Sequence, residues 1–363
     1  MKFSVGALLA GLSIAAAVPV EVSTTVATKA AAKPVKGRWF EHNRAQAVFP
    51  RSSRENPLGF VVIVLENTNK GVTMGDPYFL NLTHWGMLLG GYHGTTHPSQ
   101  PNYITMVTNT IAAGVYDDSD HNSTAYNLID LLEPAGVTWK AYMEGYKPKS
   151  NGDCNPYHED KETFYVRKHN PFMSFDNIRN NTARCQNIVN AEEHFAKDVA
   201  KGRDAPMYMY YVPNLKNDAH DTNISYAAKN TQHVIDTMLN HKEFMKDTAI
   251  LLTFDEDNVY TNDNYGDPNS IYSILLGNDT VKCYDCVDQT YYNHFSQLVT
   301  VERNWNLSTL PGEGWDQWWR PFGQLRTSKD ENCAFAPCSE YYDGKSPARS
   351  DSNWNDQGLE GTA

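Results

Sequence analysis

Two acidic clusters each follow an unbroken apolar run. Residues 60–65 lead into Glu66-Asn67, and residues 249–254 lead into Asp255-Glu256-Asp257. Carboxylate and amide oxygens are hard ligands suited to magnesium, manganese or calcium, while a nearby His220 keeps zinc open. One acidic pair after a strand is an ordinary solvated loop; its repetition after two strands points to a site. A third segment, residues 93–103, places Ser99 two residues before Pro101 and three before Asn102. Proline favours the first turn of a helix, so Ser99 is expected just before a helix N-terminus. Free backbone N–H groups there stabilise anions and favour ionisation of a hydroxyl. Asn102 can donate its amide to a phosphoryl oxygen, although the same spacing also describes a capping serine with no chemistry. In a fourth segment, residues 212–221, Asp218 and His220 suit a second cation or phosphate oxygens. In a fifth, His294 stands at the head of the last long helix.

These groups need a scaffold that brings them to one place. Residues 60–65, 137–143, 207–212, 249–254 and 271–276 are apolar and rich in β-branched or aromatic types, as strands buried on both faces are. Helical patterns lie between them. One is capped at Asn122 or Ser123 and ends near Pro134; others cover 188–200, 225–239 and 295–305, and a further stretch, 104–113, has helical character. The alternation predicts an α/β fold with a mostly parallel central sheet and helices on both faces, and sites in such sheets lie beyond the carboxyl ends of the strands. From about residue 310 an irregular, disulfide-pinned region is expected.

The chain has 363 residues, 40% of them hydrophobic and 12% aromatic, enough for a sizeable core. Its net charge of −12 and its lack of basic runs argue against a nucleic-acid partner. Residues 1–17 have the short positive start, apolar run and small residues of a signal peptide, so secretion to the extracellular space or cell wall is expected. Residues 18–56 read as a loosely ordered leader and 57–363 as one domain. No other run is long enough for a membrane span. N-glycosylation acceptor triplets begin at Asn81, Asn122, Asn180, Asn223, Asn278 and Asn306. Cys154, Cys185, Cys283, Cys286, Cys333 and Cys338 read as three bridges in an oxidising compartment. Nearest-neighbour pairing is one of about 15 connectivities, and zinc binding at Cys283-x-x-Cys286 lacks a second ligand pair.

Seven segments resemble, in order, one known family: Val64-Leu65-Glu66-Asn67, His97-Pro98-Ser99-Gln100-Pro101-Asn102-Tyr103, Leu128-Ile129-Asp130-Leu131-Leu132-Glu133, Arg167-Lys168-His169-Asn170-Pro171-Phe172, Asn217-Asp218-Ala219-His220-Asp221, Thr253-Phe254-Asp255-Glu256 and His294-Phe295-Ser296. The family is the phosphoesterases that include fungal secreted acid phosphatases and bacterial phosphatidylcholine-type phospholipases C, within the alkaline phosphatase-like superfamily. The likeness is greatest to the fungal enzymes. It implies an acid phosphatase that hydrolyses small phosphate monoesters through a metal-assisted phosphoserine at Ser99. Glu66, Asn67, Asp255 and Glu256, with Ser99, resemble the ligands of a divalent ion, and Asn102 the amide that holds the phosphoryl group. His220 and His294 resemble catalytic histidines at the phosphate site, with Asp218 beside them. Lys168 and His169 match on the substrate side without a defined role. A sulfatase would continue from its modified residue as x-Pro-x-Arg, but here Tyr103 follows Asn102. Phospholipase C or another phosphodiesterase shares every one of these residues, and a non-catalytic secreted glycoprotein is the reading of another class. Protonated His220 and His294 would favour an acid optimum.

Overall fold

The computed structural model describes residues 59–110, 112–258, 269–278, 280–281, 284–311 and 320–322. The segments read as signal peptide and leader, the region after 322, and Cys283, Cys333 and Cys338 lie outside these residues. Among the described residues the strands are β1 (Gly59–Leu65), β2 (Gly86–Tyr92), β3 (Trp139–Met143), β4 (Glu159–Asp160), β5 (Tyr165–Val166), β6 (Ile188–Asn190), β7 (Tyr208–Val212), β8 (Thr248–Phe254), β9 (Ile274–Leu276) and β10 (Cys286–Tyr292). β4 and β5 form a small hairpin; the rest make one sheet in the order β10-β2-β9-β8-β1-β7-β3-β6. All ladders are parallel except the two that β9 makes with β2 and β8. Every residue of β7 and β8 is buried, so both faces of the sheet centre are covered, as their apolar sequences require. The α/β expectation, with a mostly parallel sheet between helical layers, is met.

Register does the positioning. β1 and β8 pair without a break from Gly59↔Thr248 to Leu65↔Phe254, so Glu66 and Asp255 leave the sheet side by side. Asp255 N then donates to Leu65 O (3.0 Å), and Glu66 N to Asp218 O (2.9 Å), which ties three strand ends together.

Several local expectations are corrected. Residues 123–127 lie outside any helix: Ser123 bridges Phe175, and the helix is only Ile129–Leu132, with Asn127 Oδ1 accepting from Ile129 N. Residues 188–190 are strand β6, paired with β3, before the helix Ala191–Val199 begins. The helix near Ser99 starts on that residue and ends at Thr105, well short of Ala113. β2 and β10 escape a pattern search for physical reasons. β2 holds three glycines, and a Cβ on Gly86 would sit 2.3 Å from Leu275 O, so close strand approach excludes the β-branched residues that mark a strand. β10 is an edge strand with a polar, half-exposed sequence. The helices Ile224–Leu239 and His294–Asn304 lie where their apolar periodicity places them. Cys154 and Cys185 form a disulfide, one of the nearest-neighbour pairs, and Cys286 is disulfide-bonded as well.

The helix that carries His294 is started by a capping box: Asn293 accepts from Phe295 N, and Ser296 Oγ accepts from Asn293 N. Asn293→Ala is therefore expected to lower stability by about 1 kcal/mol. Urea denaturation at neutral pH measures this, and an unchanged midpoint would show that the box is dispensable.

Candidate active site

Among the described residues seven parallel strands end at the same edge, and five of them feed one cluster. β1 supplies Glu66 and Asn67, β8 Asp255 to Asp257, β7 the loop with Asp218 and His220, β2 the loop to Ser99, and β10 His294. Asn67 turns the chain away from β1 with φ of 32°, a left-handed conformation that asparagine tolerates better than most residues. Ala219 has φ of 89°, a strained value between the two functional residues of its loop.

Ser99 is at the centre. Its Oγ donates to Glu66 Oε2 at 3.0 Å and lies 3.3 Å from Glu256 Oε1 and from the Asn67 amide. The Asn67 amide nitrogen faces Glu66 Oε2 (3.1 Å), Asp255 Oδ1 (3.2 Å) and Glu256 Oε1 (3.3 Å), so the positive end of its dipole occupies the middle of an acidic cluster. Asn102 fixes the approach to Ser99. Its Oδ1 accepts from Thr95 N and Thr96 N at 2.9 and 3.0 Å, and its Nδ2 donates to Thr96 O (2.7 Å) and reaches Glu256 Oε2 (3.3 Å).

Each histidine has a distinct setting. His294 is fully buried, with Nε2 2.6 Å from Asp255 O and Nδ1 3.4 Å from Tyr92 Oη. Burial lowers its pKa to about 4, so it stays neutral above that pH and holds the Asp255 loop. This corrects the expectation that His294 adds positive charge at the site in mild acid. His169, also buried, stacks on Tyr103 and faces Glu66 Oε1 at 3.1 Å and Asp218 Oδ2 at 3.6 Å; burial, then Lys168 and His220, push its pKa well down. Lys168 pairs with Asp118 (2.9 Å); burial opposes its charge, but Glu66 and Asp118 hold its pKa above the ordinary value. His220 sits at the exposed rim with Nδ1 2.8 Å from Asp221 Oδ1, and its backbone N–H donates to Asp218 Oδ1.

The cluster is electrostatically loaded. Glu66, Asp218, Asp255 and Glu256 are all fully buried. Burial, then neighbouring carboxylates, raises Glu66 well above its usual range, and burial likewise raises Asp218. Burial and then Glu256 push Asp255 to about 8. Lys168 is the positive charge acting on Glu66. Among the described residues no three His, Cys, Asp or Glu side chains are spaced as a metal cage; here they hydrogen-bond around Ser99 and the Asn67 amide instead. The donor set of Glu66, Asn67, Ser99, Asp255 and Glu256 nevertheless fits a hard divalent cation, which would offset the charge that these buried groups now suppress.

Sequence reasoning missed four members of the site. His97 Nδ1 lies 2.6 Å from Glu256 Oε2, and Tyr103 donates to Glu66 Oε1 at 2.6 Å. Asp118 accepts from Gln100 N and pairs with Lys168. Glu144, at the end of β3, accepts from Tyr211 Oη, Asn214 N, Asn217 Nδ2 and Asn230 Nδ2, and so braces the Asp218 loop. His97 and Tyr103 lie in the Ser99 segment and were findable there; nothing in the local sequence marks Asp118 or Glu144.

The profile of the phosphoesterase family matches residues 72–308. A probable acid phosphatase of Kluyveromyces lactis is 39% identical over 261 residues, covering 69% of this chain and 59% of that protein. An acid phosphatase of Aspergillus niger is 33% identical over 318 residues, covering 85% and 72%. The chain thus spans about three-fifths of the length of the Kluyveromyces protein. A solved structure from Vibrio parahaemolyticus, described as a protein in the alkaline phosphatase superfamily, is 13% identical with a TM-score of 0.44, covering 70% of this chain and 68% of that one.

The low pKa of His294 has a linkage consequence. As pH falls below about 6.5 the unfolded chain takes up a proton that the folded state refuses until about pH 4, so folding stability is lost across that window. Asp255, raised to about 8, works in the opposite sense and loses stability between about pH 4 and 8. The difference between wild type and His294→Asn isolates the histidine: its stability gap should narrow from pH 7 to pH 4.5, measured by urea midpoints. A gap independent of pH would mean that the imidazole is not held neutral.

Proposed function

The chain belongs to the phosphoesterase family, and from that premise we propose that it is a secreted acid phosphatase hydrolysing small phosphate monoesters through a phosphoserine at Ser99. The observation that carries this reading is the Ser99 hydroxyl, held within 3.0–3.3 Å of Glu66, Asn67 and Glu256 where the strand ends converge. Ser99 Oγ attacks phosphorus and passes its proton to Glu66 Oε2, the carboxylate it already donates to. The bond to the leaving oxygen breaks, and water then releases phosphate from the serine. Asn102, Lys168 and His97 line the approach with donors for the phosphoryl oxygens. Glu66, Asn67, Ser99, Asp255 and Glu256 would hold a divalent ion, magnesium, manganese, calcium or zinc, which supplies Lewis-acid stabilisation of charge on phosphorus-bound oxygen when bound.

Secretion is supported by the first 17 residues and by the placement of the acceptor asparagines. Asn81, Asn122, Asn180, Asn223, Asn278 and Asn306 are all exposed, as glycan attachment requires. No helix among the described residues is long and apolar enough to cross a membrane.

Ser99→Ala should reduce turnover of an aryl phosphate by on the order of 10³-fold or more, and acid quench with labelled substrate should trap phosphate on Ser99 in the wild type. Near-normal turnover in the variant removes Ser99 from the reaction. A panel of aryl monoester, bis-aryl diester and phosphatidylcholine should show preference for the monoester, with the maximum of kcat/KM on the acid side at about pH 4–6. Asp255→Asn should lower both bound metal and activity, read by elemental analysis of the dialysed protein. Fully active protein without stoichiometric metal would sink the ion site.

A further inference from the structure

Departure of an alkoxide requires a proton, and four histidines lie near Ser99. Three of them are engaged elsewhere. His294 Nε2 is on Asp255 O, His97 Nδ1 is on Glu256, and His169 is buried between Glu66 and Asp218. His220 differs: its side chain is 33% exposed, its Nδ1 meets Asp221 Oδ1 at 2.8 Å, and its Nε2 has no partner among the described residues. The groups that face it are Asp221, Asp218 through the backbone N–H, and the His169 ring 6.2 Å away.

Its place in the sheet matters as much. Ser99 arrives from the β2 loop and His220 from the β7 loop, and β8 and β1, with their carboxylates, lie between those two strands. An in-line displacement needs the nucleophile and the leaving oxygen on opposite sides of phosphorus. We infer that Asp221 is a positioning residue: it fixes the His220 ring so that Nε2–H faces the leaving oxygen and protonates it. As Ser99 Oγ bonds to phosphorus, the electron pair of the breaking P–O bond passes to the leaving oxygen, which takes the Nε2 proton. The imidazole is left neutral, with its Nδ1–H still donated to Asp221. In the second half of the reaction the same Nε2 takes a proton from the attacking water. The inference rests on the phosphatase reading and adds a residue that the Ser99 chemistry does not require.

The test is the dependence of kcat/KM on leaving-group pKa, from dinitrophenyl phosphate through phenyl phosphate to an alkyl phosphate. A good leaving group needs no proton, so a merely structural defect lowers the whole series alike. Asp221→Asn should lower kcat/KM by about 10- to 100-fold for the alkyl ester while leaving the dinitrophenyl ester within about threefold. His220→Gln should steepen the same plot, and Asp221→Glu should restore part of the alkyl rate. A uniform loss, or none, overturns the role of Asp221 while the phosphatase reading stands. A wild type inert toward the whole series overturns both.

Discussion

Four carboxylates in one dry place repel one another, and everything else at this edge of the sheet answers to that fact. Glu66, Asp218, Asp255 and Glu256 are fully buried, and burial disfavours the charge of Glu66, Asp218 and Asp255 before the neighbours add to it. Such a cluster persists only where its surroundings supply compensating dipoles, protons or cations. The protein supplies the first with the Asn67 amide and the Tyr103 hydroxyl, and the second by raising carboxyl pKa values. Lys168 brings positive charge, and His97 sets its imidazole against Glu256; burial opposes the charge of His97, but the hydrogen bond with Glu256 raises its pKa.

The scaffold contributes precision rather than chemistry. An unbroken β1–β8 ladder puts Glu66 beside Asp255, and a slip of one residue in either strand would turn that strand's side chain to the wrong face. Around that ladder a second ring of contacts, His294 on Asp255 O, Glu144 on the Asp218 loop and Asp118 on both Gln100 N and Lys168, holds the groups clustered around Ser99.

Much of this was legible because chemistry and structure change at the same residue. The apolar runs at 60–65 and 249–254 stop where the carboxylates start, so strand and acidic cluster were readable together. The residues from His97 to Tyr103 carried their own signature. What escaped was whatever depends on contacts distant in sequence: Glu144 finds partners 67 to 86 residues away, and Asp118 finds Lys168 50 residues away. The same limit hid β2 and β10, since glycine in the first serves close packing and polarity in the second serves an exposed edge. His294 was placed correctly at its helix start, but its burial, and therefore its charge, is a property of the packed molecule alone.

The antiparallel strand β9 divides the sheet into two bodies. On one side β8, β1 and β7 carry the carboxylates and His220; on the other, β2 and β10 carry Ser99 and His294. β9 meets β2 over Gly86 to Leu88 and β8 over Ile250 to Leu252, and the residues before it continue along β2, with Leu89 N donating to Ser273 O, Ile271 N to Tyr92 O, and His93 bridging Ser270. Ser99 is thus registered against the carboxylates through a single antiparallel strand, so its alignment depends on that strand as much as on its own loop.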